Sequence, residues 1–422
     1  MIPLHDFLLT QHTAAATTNL LLPDAVDGMR APYRSIPILM PINIMRTKPI
    51  RILQLGKFYP IMGGVEKVAY DLTAGLSERG VHCDMMCAAT EGPDREIALN
   101  GFGRILCTRS WAKIAATMIS PSMVLALRRC CKCYDIIHIH HPDPMACLSL
   151  WLSGFKGKVV LHWHSDIQKQ KFLLRLYSPL QRWLLHRADK IVGTSPVYLS
   201  ESPHLQRVQD KTICLPIGVI PIIPDARAVQ AIRDKYHGRK IVFSLGRLVA
   251  YKGYPHLISA ARYLSDDYVV LIGGSGAMRE ELERQIDAQG LRGKVEMLGR
   301  VSDEDLPAYY GACSVFCLSS VQKTEAFGIV QIEAMSCGKP VVATNIPQSG
   351  VAWVNAHGVS GLNVEPGNAE ALARAIEKAT ASDEDYQRYA EEAKNRYKEL
   401  FTKEKMIDTC LKIYMTLWNT EK

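Results

Sequence analysis

The chain has 422 residues, of which 48% are hydrophobic and 22% are charged, and its formal net charge at pH 7 is +8. This length exceeds what one hydrophobic core usually organises, so two domains are expected. The composition excludes low-complexity, collagen-like and solenoid chains, and no apolar run approaches the ~20 residues that a transmembrane helix needs.

Residues 1–48 contain few charges, several prolines and no sustained hydrophobic period, which predicts an N-terminal extension outside the folded domains. Two explanations for it are open. Either the extension is disordered, or translation starts at Met45, because the stretch MRTKPIRILQLGKFYP that begins there is itself a plausible N-terminus. The opening residues lack a basic segment followed by a clean apolar stretch, so no secretory signal peptide is predicted and the protein is expected in the cytoplasm.

From Arg51 onward, short apolar runs alternate with helical patterns. The first run is followed by a glycine pair that opens a helix, and helical stretches separate several of the others. The runs are RILQLG, HCDMMCA, DIIHIHH, KVVLHWH and KIVGTS. This alternation predicts a parallel α/β sheet and hence a Rossmann-like domain over residues 49–220.

A proline-rich pause at 216–226 precedes a second series of the same kind. Its apolar runs are KIVFSLGRL, YVVLIGGSG, KVEMLG, SVFCLSS, PVVAT and GLNV. They predict a second Rossmann-like domain over 221–395, with a cleft between the domains as the ligand site. The tail from Ser382 to Trp418 has a helical pattern throughout, and a C-terminal helix within 396–422 is expected to pack back on the first domain.

The excess of basic residues is confined to the first half of the chain. The net charge is +8 over residues 51–220 and −1 over 221–422. The first half is therefore expected to face an anionic partner. No nucleic-acid-binding motif accompanies the charge, so a membrane surface or a phosphorylated substrate is preferred to nucleic acid.

No metal or other cofactor is predicted. The 12 cysteines are scattered, and the cluster of Cys130, Cys131 and Cys133 has no second pair to complete a zinc site. The run HIHH at 138–141 could form a zinc site with His162. Neighbouring residues of a strand face opposite ways, which counts against a shared site.

The stretch TEAFGIVQIEAMSCGKPVVAT carries two glutamates, Glu325 and Glu333, around the predicted start of a helix at Gly328. A helix N-terminus presents free N–H groups and a partial positive charge, which attract phosphate. A nucleotide-sugar could lie along this segment, with its sugar at Glu325, its diphosphate on the amides of 327–330 and its ribose at Glu333. The alternative is a pair of exposed carboxylates on a surface helix.

Two cations follow the first strand of the second domain, in SLGRLVAYKGY. Arg247 and Lys252 leave the carboxyl end of that strand, where ligands of α/β proteins bind, and could hold a diphosphate. Two basic residues in a loop are otherwise usually solvated.

The segments SLGRLVAYKGYPHLI, GGSG, SCGKPVVATNIPQSG and the glutamate pair together resemble the large retaining family-4 (group 1) glycosyltransferases, from about Arg51 to the end. The resemblance implies a GT-B fold, in which two Rossmann-like domains face each other across a cleft. It also implies an activity that needs no metal. It places the glycine loop of FYPIMGGVEK at the donor phosphate and His164 of HWHSD beside the sugar. It implies catalytic roles for Glu325, His164, Arg247 and Lys252. The donor-binding residues that it implies are Gly63, Gly64, Gly246, Arg247, Lys252, Glu325, Ala326, Phe327, Gly328, Ile329, Val330 and Glu333.

The region from His162 to Leu199 resembles mannosyl- and rhamnosyltransferases of bacterial surface polysaccharides such as O-antigens, many of which use GDP-sugars. The expected reaction is transfer of mannose or a related hexose, with retention, to a polyprenyl-diphosphate-linked glycan. The segment SWAKIAATMISPSMVLALRRCCK combines apolar residues with Lys113, Arg128, Arg129 and Lys132, which could dock on anionic lipid; an ordinary surface helix is the alternative.

Other functions remain open at this point. The same chemistry could use a UDP-sugar. A UDP-sugar 2-epimerase would act without an acceptor and would lack this combination of motifs. A non-catalytic nucleotide-binding module could use GGSG at 273–276, although this motif lacks the full dinucleotide fingerprint.

Overall fold

A computed structural model describes residues 48–61, 63–114, 117–167 and 171–420, without the side chains of 171–174. The predicted extension at 1–48 lies outside this range apart from Lys48. The described chain forms two sheets of mainly parallel strands, each buried on both faces by apolar clusters. Strands buried on both faces read as continuous apolar runs, which is why most of them were predicted from the sequence.

In the described part of the first half of the chain there are ten strands and five α-helices. The strands are β1 Arg51–Tyr59, β2 His82–Ala89, β3 Arg95–Asn100, β4 Gly103–Arg109, β5 Ala112–Ile114, β6 Thr117–Ile119, β7 Ile136–His141, β8 Lys158–Trp163, β9 Lys190–Gly193 and β10 Thr212–Cys214. The helices are α1 Val65–Glu78, α2 Pro121–Cys130, α3 Pro144–Ser153, α4 Lys171–Arg187 and α5 Pro196–Glu201.

Eight of these strands form one sheet in the order β10-β9-β8-β7-β1-β2-β4-β3. Only β3 runs antiparallel, against β4. Strands β5 and β6 form a separate antiparallel hairpin. The sequence pattern did not predict β3 to β6 or β10. Strands β5, β6 and β10 have only three residues each, β3 lies at an edge, and β4 lacks a long apolar run.

Residues 221–420, all of which are described, contain six strands and nine α-helices. The strands are β11 Lys240–Leu245, β12 Tyr268–Gly273, β13 Val295–Gly299, β14 Val315–Leu318, β15 Val341–Thr344 and β16 Gly361–Val364. The helices are α6 Ala226–Lys235, α7 Tyr254–Ala260, α8 Arg279–Ala288, α9 Leu306–Ala312, α10 Ile329–Ser336, α11 Val351–Val354, α12 Ala369–Ala379, α13 Asp383–Leu400 and α14 Lys403–Asn419.

The second sheet is parallel throughout, in the order β13-β12-β11-β14-β15-β16. The strand order reverses between β11 and β14, and in the first sheet between β1 and β7. Such reversals open a crevice beyond the carboxyl ends of the strands, where α/β proteins bind ligands. Both halves of the molecule therefore offer a crevice of this type.

The helical tail is broken, whereas the sequence pattern predicted one continuous helix. The break lies at Phe401 and Thr402, and Thr402 caps α14 by accepting a hydrogen bond from the Lys405 amide. Phe401 is fully buried, so the chain turns where its side chain enters the core. At this turn Val219 N donates to Phe401 O, and Lys403 N donates to Val219 O. The tail is thereby joined to the connector between the two sheets.

Helix α14 returns to the first sheet and packs on α1. A Cβ atom at Gly75 of α1 would lie 2.1 Å from Ile407 Cδ1, so any larger residue there would force the Ile407 side chain to move. One apolar cluster runs from Ile52 and Leu72 in the first half, through Ile407 and Tyr414, to Phe243 in the second. Helix α14 is thus part of the same core as α1.

Among the described residues, no helix is long and apolar enough to cross a membrane.

Candidate active site

Lys252 and Glu325 form an ion pair at the reversal of the second sheet. Lys252 follows β11 and Glu325 follows β14, and the carboxyl ends of these paired strands lie side by side. Lys252 Nζ lies 2.5 Å from Glu325 Oε2, and the two side chains are only 10% and 12% exposed. Ser320 Oγ donates a further hydrogen bond of 3.0 Å to the same carboxylate. The two residues that the sequence analysis proposed from separate motifs are therefore in direct contact.

The N-terminus of α10 lies immediately after this pair. Gly328 precedes the helix in a left-handed conformation, with φ 78° and ψ 65°, and none of the described side chains caps the helix. The side chain of Phe327 is buried in the core, where Ile329 and Val330 also pack. The Ala326 carbonyl accepts a hydrogen bond from the Gly350 amide. This segment can therefore meet a ligand through its backbone N–H groups rather than its side chains.

Glu333 lies in the second turn of α10 and is held by Tyr310 of α9. The Tyr310 hydroxyl donates a hydrogen bond of 2.6 Å to Glu333 Oε2. Burial raises the pKa of the Glu333 carboxyl, and the hydrogen bond from Tyr310 opposes that shift. Tyr310 is fully buried and 23 residues away in the chain. Nothing in the sequence pattern linked it to Glu333.

Gly246 and Arg247 border the same crevice. A Cβ atom at Gly246 would lie 3.3 Å from Lys252 Nζ and 2.9 Å from the Tyr254 hydroxyl, so a side chain there would crowd the ion pair. Arg247 is exposed, and its Nη2 donates to the Tyr251 hydroxyl at 3.2 Å. Its charge acts on Glu66 of α1, where it opposes the rise in pKa that burial causes. The charge of Arg247 therefore reaches a carboxylate in the first half of the chain.

The glycine loop lies on that opposite side, between β1 and α1. Gly63 and Gly64 both have positive φ, 140° and 64°, and Cβ atoms there would meet no atom of the described residues within 4 Å. The backbone is thus open to a ligand. Glu66 in the first turn of α1 is 8% exposed, and burial raises its pKa. Lys57, at the end of β1, has a pKa lowered by burial. Neither residue was predicted from the sequence, although Glu66 lies within the motif FYPIMGGVEK.

His164 lies at the end of a column of stacked imidazoles. His138 and His140 of β7 share a sheet face with His162 of β8, and the rings of His162 and His164 stack with centroids 3.8 Å apart. The opposite-face argument made from the sequence therefore applies only to His141. Its ring lies on the other face, against Trp163.

The histidine column is buried and electrically neutral. Burial lowers the pKa of the His162 imidazole to about 3 and those of His138, His140 and His164 well below their usual value. Among the described residues, His138, His140 and His162 each offer a ring nitrogen within 4.8 Å of the others. Such a group could attract a metal ion, so the predicted absence of metal remains a prediction.

An ion pair joins the two halves beside the site. Lys323, two residues before Glu325, places Nζ 3.1 Å from Asp166 Oδ2. Asp166 follows His164 by two residues, and its side chain is 2% exposed. It also accepts hydrogen bonds from Trp163 Nε1 and the Ser202 hydroxyl. The loops that carry the proposed sugar-binding residues are therefore in contact across the crevice. This pair was not predicted, because its partners are 157 residues apart.

The glycines of GGSG at 273–276 serve close packing of the backbone. A Cβ atom at Gly274 would lie 1.8 Å from the Gly246 carbonyl oxygen, and one at Gly276 would lie 2.4 Å from the Leu248 carbonyl oxygen. The loop thus supports the Gly246 turn from behind. This packing explains the glycines without a dinucleotide.

Comparison with known proteins adds to this geometry. Residues 225–396 match the family model described as glycosyl transferases group 1, and residues 62–221 match that of glycosyltransferase family 4. The chain is also 32% identical over 374 residues to the O-antigen chain mannosyltransferase C of Escherichia coli, covering 87% of this chain and 99% of that protein. The chain belongs to the group 1, family-4 glycosyltransferases.

Another relative of this glycosyltransferase is the D-rhamnosyltransferase WbpZ of Pseudomonas aeruginosa, at 31% identity over 84% of this chain and 92% of that protein. The fold of the present chain is similar to that of HepE from Anabaena in its crystal structure with UDP. The TM-score is 0.71 at 20% identity, over 87% of this chain and all of the HepE chain. Such structural similarity supports the predicted GT-B fold, two Rossmann-like domains across a cleft.

Proposed function

We propose that this glycosyltransferase moves mannose or a related hexose, with retention, from a GDP-sugar to a polyprenyl-diphosphate-linked glycan in the synthesis of a bacterial surface polysaccharide such as an O-antigen. The names of the two relatives, a mannosyltransferase and a rhamnosyltransferase, support the class of sugar. The excess of basic residues in the first half supports an anionic acceptor.

The contact between Lys252 and Glu325 at the uncapped N-terminus of α10 carries this proposal. It places a cation, a carboxylate and free backbone N–H groups next to one another, as binding a sugar diphosphate requires. Because Lys252 and Glu325 neutralise each other, Arg247 and the helix N-terminus supply the net positive potential for the diphosphate. In this arrangement Glu325 accepts hydrogen bonds from the sugar hydroxyls, and Glu333 accepts them from the ribose hydroxyls.

The proposed chemistry is mainly electrostatic. Departure of the nucleoside diphosphate leaves negative charge on its oxygens, which Arg247, Lys252 and the α10 amides stabilise. The departing phosphate can accept the proton of the attacking acceptor hydroxyl on the same face of the sugar, which retains the anomeric configuration. Closure of the cleft excludes water and suppresses donor hydrolysis, and the Lys323–Asp166 pair is suited to favour the closed form.

Two experiments test the proposal. In a thermal-shift screen against GDP, UDP, ADP and NAD, GDP should raise the melting temperature most, because a ligand that binds only the native state stabilises it. In a transfer assay with GDP-mannose and a lipid-linked acceptor, Glu325→Ala should lose turnover while its circular dichroism stays that of the parent. NMR of the product should show an α-linkage from the α-linked donor.

The alternatives give different results in the same experiments. A larger shift with UDP would replace the donor while keeping the chemistry. Conversion of a UDP-sugar without any acceptor would identify an epimerase. Nucleotide binding without turnover, unaffected by Glu325→Ala, would identify a non-catalytic module and refute the proposed transferase.

Docking on anionic lipid is part of the proposal. The surface proposed for it now includes side chains outside the segment that the sequence suggested. The segment at 110–132 is not one amphipathic helix, since its first part forms the β5–β6 hairpin and the α-helix covers only Pro121–Cys130, followed by a short 3-10 turn at Cys131–Cys133. Helices α2 and α4 both pack on α3. Exposed apolar side chains lie on the hairpin and on these helices: Trp111, Ile114, Leu125, Trp151, Leu152 and Leu176. Exposed basic side chains accompany them: Lys113, Arg128, Arg129, Lys132, Arg175 and Arg182.

This mixture of aromatic, aliphatic and basic side chains suits the interface of an anionic bilayer. A protein docked in this way would work at the cytoplasmic face of the membrane. Liposomes that contain phosphatidylglycerol should bind the protein, raised salt should release it, and the double variant Arg128→Ser/Arg129→Ser should bind less. Binding that is independent of salt and of these arginines would refute the docking surface.

A further inference from the structure

A chain of hydrogen bonds connects the last helix to His164. Tyr414 of α14 accepts a 2.9 Å hydrogen bond from Gln54 Nε2, in β1. Gln54 Oε1 lies 2.9 Å from His140 Nε2, and His140 Nδ1 lies 3.0 Å from His164 Nε2. Tyr414 Oη also contacts His138 Nδ1. The chain crosses 360 residues of sequence in its first step alone.

All members of this chain are shielded from solvent. Gln54, His140 and Tyr414 are fully buried, and His164 is 6% exposed. Burial lowers the pKa of both imidazoles well below the usual value, so each ring is neutral at pH 7 and carries one proton. A neutral imidazole has one donor nitrogen and one acceptor nitrogen, and its partners decide which is which.

The orientation of the Gln54 amide therefore sets the protons along the chain. Gln54 Nε2 donates to Tyr414, so Gln54 Oε1 faces His140 and accepts from its Nε2–H. His140 Nδ1 is then an acceptor, and His164 Nε2 must be the donor to it. His164 Nδ1 consequently keeps its lone pair and can accept a hydrogen bond from a hydroxyl group.

We propose that Tyr414 is a positioning residue for His164, acting through Gln54 and His140. It fixes the orientation of the amide and thereby the tautomer in which His164 meets the donor sugar. The inference rests on the proposed function, in which His164 lies beside that sugar. In this tautomer His164 Nδ1 accepts a hydrogen bond from a sugar hydroxyl and thereby orients that hydroxyl. In the opposite tautomer His164 Nδ1 would carry the proton and would offer the sugar a donor instead.

A metal ion is a weaker explanation of the same histidines. Zinc binds imidazole nitrogens at ~2.0 Å, which brings the nitrogens of a tetrahedral site to roughly 3.3 Å from one another. Here the three nitrogens are spread over up to 4.8 Å. The rings of His138 and His140 stack within 7° of parallel, which does not direct their nitrogens toward one point. Both nitrogens of His140 already have protein partners.

Tyr414→Phe is the central test, with Tyr397→Phe as its matched control. Tyr397 is also a buried tyrosine of the helical tail. Its hydroxyl, however, donates to the Val219 carbonyl at 2.9 Å and takes no part in the hydrogen bonds that lead to His164. Both variants should lower the melting temperature to a similar degree. Only Tyr414→Phe should lower kcat, by about tenfold, with the donor KM within about twofold, because the geometry at the sugar is disturbed while the grip on the nucleotide remains.

Gln54→Met tests the next step of the chain. It should lower kcat as Tyr414→Phe does, and the double variant should show no further loss, because both changes break one chain. Equal kcat in Tyr414→Phe and Tyr397→Phe would overturn the proposal. So would additive losses in the double variant.

A structural readout keeps the proposal testable if a variant does not fold. In parent protein labelled with [¹⁵N]histidine, long-range nitrogen–proton NMR should show the proton of His140 and of His164 on Nε2. A proton on Nδ1 of His164 would overturn the inference. His164→Ala separates this outcome from failure of the proposed function. Full turnover in His164→Ala would refute the proposed role of His164 in sugar transfer. Lost turnover in His164→Ala together with unchanged kcat in Tyr414→Phe would refute only the role of the hydrogen bonds from Tyr414 to His164.

Discussion

Replacing Lys252 with methionine removes one half of a buried ion pair and leaves the other half charged. Lys252 Nζ is 2.5 Å from Glu325 Oε2, and neither side chain is more than 12% exposed. The hydrogen bond from Ser320 that the carboxylate keeps does not replace a full positive charge. Truncating one partner of such a pair costs roughly 3 to 5 kcal/mol of unfolding free energy.

Urea unfolding measures this loss. With an m-value of ~3 kcal/mol/M, the midpoint of Lys252→Met should fall by about 1 M or more. The double variant Lys252→Met/Glu325→Gln should recover most of the stability, because an apolar and a neutral side chain can replace a buried pair at little cost. Neither variant should transfer sugar. Recovered stability without recovered turnover would separate the role of the pair in folding from its role in catalysis.

A matched control tests the dependence on burial. Lys235 and Glu296 are also bonded, with Nζ 2.9 Å from Oε1, but their side chains are 54% and 42% exposed. Lys235→Met should cost no more than about 1 kcal/mol. If Lys252→Met costs no more than Lys235→Met, the explanation through a desolvated charge is wrong.

Three further variants address other parts of the site. Glu333→Gln should raise the melting temperature at pH 7, because burial raises the pKa of Glu333 and its ionisation costs stability; this gain should disappear as the pH falls below the ordinary Glu pKa. Its donor KM should rise about tenfold, and an unchanged KM would refute the ribose contact. Arg247→Ala should change the unfolding free energy by less than about 0.5 kcal/mol, since Arg247 is exposed, yet lower kcat/KM by about a hundredfold; unchanged kinetics would remove Arg247 from the site. Gly64→Ala should cost roughly 1 to 2 kcal/mol, because Gly64 has φ 64°, and should raise the donor KM by placing a methyl group in open space; a stable variant with normal KM would show that the loop stays clear of the donor.

The fold was largely predictable because its central strands are continuous apolar runs. β1, β7 and β11 lie within the sheets and read as strands from composition alone. The edge strand β3 was missed because its residues alternate between half-buried and exposed. The break at Phe401 was missed because an amphipathic pattern continues on both sides of it, and only the position of the connector decides where the tail turns.

The proposed site was predictable where local motifs carry it. Gly328 and Glu325 belong to one stretch of chain, and a helix start can be inferred from such a stretch. The partners of these residues could not be found in this way. Tyr310 reaches Glu333 from another helix, and Lys323 reaches Asp166 from the other half of the chain. The first contact depends on how α9 and α10 pack beside the second sheet, and the second on how the two halves of the chain meet, and no local pattern encodes either.

The return of α14 to α1 has a consequence for synthesis of the protein. The first half of the chain leaves the ribosome with the groove beside Gly75 unfilled, and Ile407 arrives only after more than three hundred further residues. At ordinary translation rates that interval is tens of seconds, during which apolar surface is exposed to chaperones and to other nascent chains. A fragment that ends near residue 220 should therefore aggregate when expressed alone. Supplying residues 403–419 as a separate peptide should rescue it.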